Sequence, residues 1–191
     1  MTAEEFAAAK SLWKFVYAQE CFRRVASTCA WILQNGIGEN HPLYYPSIVA
    51  IYALYGKPFK QTDVVGALPK KIVPAEFRQL HDVMIEHRDE VYMHTQPGRK
   101  SEVWVRVSYI GTSKKRQGQL ISTEFYARPL KLLKVIELCQ AMHTIMEQRR
   151  VELQNHYFPE HLPKEEGDYP LNVVDPAEPF FLPKKPPLTN K

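Results

Sequence analysis

From Thr2 to Gln34 the chain runs without a glycine or a proline. Within that run Phe6, Ala9, Trp13, Val16, Tyr17, Cys21, Val25, Thr28, Cys29 and Ile32 return at three- and four-residue steps, the repeat of a single apolar helix face. Thr2 and Glu5 have the spacing of a capping box, which starts the helix. NGIGENHP, residues 35 to 42, ends it. A helix of this length sets the fold class: a mainly α-helical bundle of long helices.

The rest of the chain is read around that helix. PSIVAIYALYG fits a second, shorter helix with Pro46 in its first turn and Gly56 as its stop. It is apolar nearly all round, so it belongs at the centre. Residues 57 to 74 hold three prolines and one glycine without a clear period, a loop with at most a turn of helix around Asp63 to Ala67. A third helix begins at Pro74, carries Phe77, Leu80, Met84 and Val91 as a broken stripe, and closes at TQPGRK, residues 95 to 100. Then the period changes to two. Val103, Val105, Val107 and Tyr109 alternate with Glu102, Trp104, Arg106 and Ser108, and QLISTEFY follows after GTSKKRQG, so a β-hairpin is expected at about 102 to 126. Pro129 opens a fourth long helix to about Tyr157. Residues 1 to 158 thus form the helical domain.

Beyond Phe158, eight of the chain's fifteen prolines fall in residues 159 to 187, which excludes a helix or a central strand. Residues 159 to 191 are expected as an extended Pro-rich tail. Phe180, Phe181 and Leu182 are its anchors, on its own domain or on a neighbouring subunit.

Composition narrows the function. There are 25 Lys and Arg against 21 Asp and Glu, a net charge of +4, which permits a nucleic-acid partner without demanding one. Cys21, Cys29 and Cys139 are odd in number and far apart, suiting buried thiols in a reducing cytosol. No Cys-x-x-Cys pair or zinc-spaced cluster occurs, so neither a metal nor another cofactor is expected. The acidic start MTAEEFAAAK is unlike a signal peptide, and no apolar run approaches the roughly 20 residues of a membrane span. No membrane association and a cytoplasmic location are expected. Phosphate loops, dinucleotide fingerprints and nucleophile elbows are missing too, which leaves kinase, dehydrogenase and serine-hydrolase readings without a motif.

The chemistry concentrates in HDVMIEHRDEVYMHT, residues 81 to 95. Its bland reading is a solvated helix face on which Glu86, Asp89 and Glu90 partner Arg88 and Arg78. Its polar residues crowd the last turn, however, and His94 stands where the chain must break before Pro97. A histidine near a helix C-terminus can hold a proton at neutral pH and act as acid or base. Arg88 is a permanent planar cation suited to a phosphate whose charge grows in a transition state.

The stretch R-D-E-V-Y-M-H, residues 88 to 94, resembles the signature of the HEPN superfamily, and HRDEVYMHT is similar to the form found in abortive-infection and toxin-like members. The resemblance implies a helical bundle acting as a homodimer, and a metal-independent endoribonuclease used as a toxin or phage-defence effector. Arg88 matches the motif arginine, Asp89 the polar residue after it, and His94 the motif histidine. The implied reaction is attack of a ribose 2′-hydroxyl on the adjacent phosphate. In it His94 is base or acid, Arg88 neutralises the phosphorane, and Asp89 orients one of them. An antitoxin or regulatory protein is a further implied partner. Some members carry, two residues after the motif histidine, a tyrosine that their antitoxin modifies, and position 96 here is Gln.

Arg99, Lys100, Arg106, Lys114, Lys115 and Arg116 gather on and around the hairpin, where they form a candidate RNA-binding finger or a solubilising loop tip. Two other functions stand beside the nuclease. One is a non-catalytic HEPN-like module that binds nucleotide, RNA or protein through the same basic cleft. The other is a helical adaptor acting through its tail.

Overall fold

The structure, a computed structural model, describes residues 1–89, 103–110, 117–125, 130–158 and 163–183. It is mainly helical. The helices are α1 (Ala3–Gln34), α2 (Tyr44–Gly56), α3 (Arg78–His87) and α4 (Leu132–Tyr157), and two strands, β1 (Val103–Ile110) and β2 (Gln117–Phe125), lie between α3 and α4 in the chain. None of these helices is long and apolar enough to cross a membrane.

The capping box forms at the start of α1: the Glu5 amide donates to Thr2 Oγ1 (3.1 Å), and the Thr2 amide donates to Glu5 Oε2 (2.7 Å). A cap of this kind is worth about 1 kcal/mol. The most extensive helix contact is between α1 and α4, which run antiparallel. Gln19 donates to Glu147 Oε2 (2.7 Å) midway, and Ala8 and Leu12 near the start of α1 meet Phe158 just past the end of α4. Phe22, Val25, Cys29 and Ile32 of α1 join Val135, Leu138, Cys139, Met142 and Met146 of α4 in the main core. All three cysteines are buried as free thiols there or beside it, and burial pushes the Cys29 thiol up to about 12.

α2 is central, as its all-round apolarity required: Ile48, Ile51, Tyr52 and Tyr55 are buried in the same core. Burying a large apolar side chain fully is worth roughly 1.5–3 kcal/mol, so this short helix is held by packing. It needs no cap of its own, and no capping side chain bonds its N-terminus. The connection from α2 to α3 is more ordered than a featureless loop. Lys57–Phe59, Lys70–Ile72 and Ala75–Phe77 are 3₁₀ turns, and the Leu68 amide donates to Pro58 O (2.8 Å). Pro58, Leu68 and Val73 are buried, so prolines and apolar residues that obscured any period in the sequence are anchors.

β1 and β2 pair antiparallel from Val103 opposite Phe125 to Ile110 opposite Gln117. The register shifts between Val105, opposite Thr123, and Arg106, opposite Ile121, which leaves Ser122 as an extra residue on β2.

The described part of the tail lies against α1 and α4 of its own chain. Phe180 is buried and stacks on Phe158 with ring centroids 4.2 Å apart and planes 8° from parallel. Beneath them are Ala8, Ala9 and Leu12. The Asn172 amide donates to Phe180 O (2.8 Å) and the Leu182 amide to Pro170 O (2.9 Å), which closes a small loop around a bridge between Leu171 and Phe181. Buried Asn172 stitches that loop: its side-chain amide donates to Asp175 O (2.6 Å) and its Oδ1 accepts from the amides of Val174 and Asp175 (each 3.2 Å).

Candidate functional site

α3 presents a buried stripe, His81, Met84 and His87, to the rest of the fold, with Gln79, Asp82 and Val83 exposed. The polar stretch is therefore two-faced. His81 Nδ1 shares a hydrogen bond with the Tyr55 hydroxyl (2.8 Å) and its ring meets Phe59 edge-on, centroids 4.5 Å apart. Burial holds its pKa below the ordinary value, although Asp82 beside it pulls the other way. His87 lies flat on Tyr52, centroids 5.5 Å apart and planes 14° from parallel. Two of the three histidines in the stretch are thus packed into the α2–α3 interface. Asp82, on the outer face, binds the Lys70 ammonium (2.6 Å) and ties the 3₁₀ turn at Lys70–Ile72 to α3.

Arg88 follows directly on that stripe. The helix widens into a π turn at Arg88 and Asp89, and the Arg88 amide donates to both Met84 O and Ile85 O. Departures of this kind recur at functional sites. The Arg88 side chain is only 11% exposed. Its Nη1 donates to the carbonyl of Gly56, the last residue of α2. α2 has no basic residue in its own last turn, so Arg88 supplies from α3 the cation that the carbonyl end of α2 favours. The approach depends on glycine: a Cβ at 56 would run into Arg88 Cδ and stand 2.6 Å from Nη1.

The other edge of the guanidinium faces Asp89. Nε and Nη2 both point to Asp89 Oδ1, at 2.7 and 2.6 Å. Nε and Nη2 form the fork with which arginine grips a carboxylate or phosphate. Asp89 is 48% exposed, so a half-exposed carboxylate sits on the gripping edge of a nearly buried, clamped cation. Chemically, the Nε–Nη2 edge is able to hold an anion, and here it holds the Asp89 carboxylate.

Of the residues expected from sequence, the structure brings Arg88 and Asp89 together. His94, Arg99, Lys100, Lys114, Lys115 and Arg116 lie outside the described residues. Arg106 is on β1 opposite Ile121. Sequence reasoning missed Gly56 as a partner of Arg88, reading it as a helix stop alone, and missed Tyr55 as the partner of His81. The alignment of His81, Ile85 and Arg88 on one line of the helix groups them on a face but does not say what that face meets. Among the described residues no group of three or more His, Cys, Asp or Glu is placed to hold a metal ion. Compared with known proteins, the chain matches no family model, no curated protein and no solved structure.

Proposed function

We propose that the protein is a metal-independent endoribonuclease of the HEPN type, with Arg88 as its phosphate-binding cation and His94 as its acid or base. The observation that carries this reading is the pairing of Arg88 with Asp89. The Nε–Nη2 edge of Arg88 is held on Asp89 Oδ1 while Nη1 is anchored on the Gly56 carbonyl. An RNA phosphate takes the place of the Asp89 oxygen on that edge, and the Gly56 anchor keeps the guanidinium plane fixed while it does so. Preorganisation of this kind favours the doubly charged phosphorane over the singly charged ground state.

In this mechanism the 2′-hydroxyl attacks the adjacent phosphorus, and a 2′,3′-cyclic phosphate forms as the 5′-oxygen leaves. His94 moves the proton at one of those oxygens. Displaced Asp89 orients the histidine. Arg99, Lys100, Arg106, Lys114, Lys115 and Arg116 bind the RNA backbone through the inserted hairpin. A homodimer brings two such sites into one cleft, and a toxin or phage-defence role under an antitoxin or other regulator suits an RNase of this type.

The burial of Arg88 and its clamp on α2 favour a second reading, a non-catalytic module that binds RNA or another anionic partner by the same edge. One experiment separates them. Wild-type and His94→Ala protein are incubated with mixed RNA in EDTA, and product ends are assayed for 2′,3′-cyclic phosphate. Cyclic ends from wild type alone are expected. Cleavage unchanged in His94→Ala removes the nuclease mechanism, and saturable binding of RNA left intact by both proteins establishes the binding module.

A further inference from the structure

On the side where α1 begins and α4 ends, the 3₁₀ turn at Lys70–Ile72 closes a cleft of about 830 Å³. This lies within the roughly 300–1,000 Å³ of small-molecule sites. Three separate elements supply its walls. α1 gives Lys14 and Phe15, α4 gives Arg149, Leu153 and Tyr157, and the turn gives Lys71. The floor is apolar: Phe15 and Leu153 from the helices meet Leu68 and Ile72 from the connection. Lys14, Lys71 and Arg149 oppose a single carboxylate of the lining, Glu152, which is paired with Arg149 at 3.1 Å.

Lys14 is the informative member. It is half-buried, and burial alone lowers its pKa, with no carboxylate acting against that shift. Its ammonium stands beside the Gly66 backbone, and it has no ion-pair or hydrogen-bond partner among the described residues. A partly buried ammonium without such a partner is free to meet an anion. His156 adds a fourth donor to the lining. Lys70, next to Lys71, points away and binds Asp82 of α3, which fixes the wall that carries Lys71.

We infer that this cleft is a binding site for a small organic phosphate monoester: a dianionic head held by Lys14, Lys71 and Arg149 with an apolar body against Phe15 and Leu153. Its charge and its floor argue for both halves of the ligand together. The inference stands apart from Arg88 and does not depend on the nuclease reading.

The test is calorimetric titration of the full chain with phenyl phosphate at low ionic strength, with inorganic phosphate, phenol and benzoate as separate arms. Saturable binding of one phenyl phosphate per chain is expected, with each other arm at least about tenfold weaker. Lys14→Met keeps the side chain's stem and removes its charge, and is expected to weaken binding about tenfold with an unchanged circular dichroism spectrum. Should that variant misfold, Lys71→Met at an exposed position tests the same head group. No saturable heat overturns the inference, as does equal affinity for inorganic phosphate or benzoate, or undiminished binding by a folded variant.

Discussion

Arg88 reaches across from the end of α3 and lies where any side chain at Gly56 would have to go. The two residues are 32 apart in sequence, and each makes the other's position possible. Alanine is ordinarily the better helix former by about 1 kcal/mol, so Gly56→Ala in a free helix is stabilising. Here it is expected to destabilise the protein by about 1–3 kcal/mol, because Arg88 must leave its place. Urea unfolding of Gly56→Ala, Arg88→Ala and the double variant checks this. The double variant is expected to be more stable than the sum of the singles allows, and strict additivity contradicts the contact.

His81 gives the α2–α3 interface a pH dependence of definite sign. Its folded pKa is lowered by burial, so the unfolded chain takes up a proton first as pH falls through about 6.5. Its contribution is complete above that pH and is lost progressively below it, down to the folded value. Stability measured from pH 8 to 5 should decline in wild type. The decline is expected to be shallower in His81→Gln, which keeps a partner for the Tyr55 hydroxyl.

Glu147 acts at a lower pH. Its hydrogen bonds with Arg150 and then with Gln19 hold its carboxyl down at about 2. Stability from these bonds, the larger within α4 and the other to α1, is present above the unfolded value near 4.5 and disappears as pH falls toward 2. The group is solvent-exposed, so salt screens the effect. Glu147→Gln is expected to flatten the acid limb of the stability curve at low salt and to change little at high salt; an unchanged low-salt acid limb refutes the assignment.

The tail depends on one aromatic stack. Burying Phe180 against Phe158 is the kind of contact whose truncation costs about 3–5 kcal/mol in a rigid core. A docked tail can detach locally, which limits the global loss. Phe180→Ala is therefore expected to lower the melting temperature modestly while greatly speeding proteolysis between residues 163 and 183. Equal cleavage rates in wild type and variant oppose this role.

Long-range geometry separates what was legible from what was not. α1 could be read almost to the residue, because a capping box and an unbroken apolar repeat are local signals. α4 ends at Tyr157, where its apolar repeat runs out, but begins at Leu132, three residues past Pro129. The proline at 74 marks a helix start, yet a 3₁₀ turn at Ala75–Phe77 comes before α3 begins. The inward turn of His81 and His87 was not legible, since a histidine on a charged helix looks the same whether it faces water or a tyrosine. Nor was the use of Gly56, because a glycine that ends a helix and one that admits an arginine have the same sequence. The cleft beside Lys14 joins residues from three distant segments, and no spacing along the chain announces it.

Ala8, Ala9 and Leu12 wait for Phe158 and Phe180 to cover them. On the ribosome α1 emerges before α4, its main partner, so the part of its apolar face that α4 covers stays bare until α4 follows. A helix in that condition is material for a holdase chaperone. The order of synthesis and the order of packing are thus opposed here, and the start of α1 is sealed only after α4 and the tail have followed it.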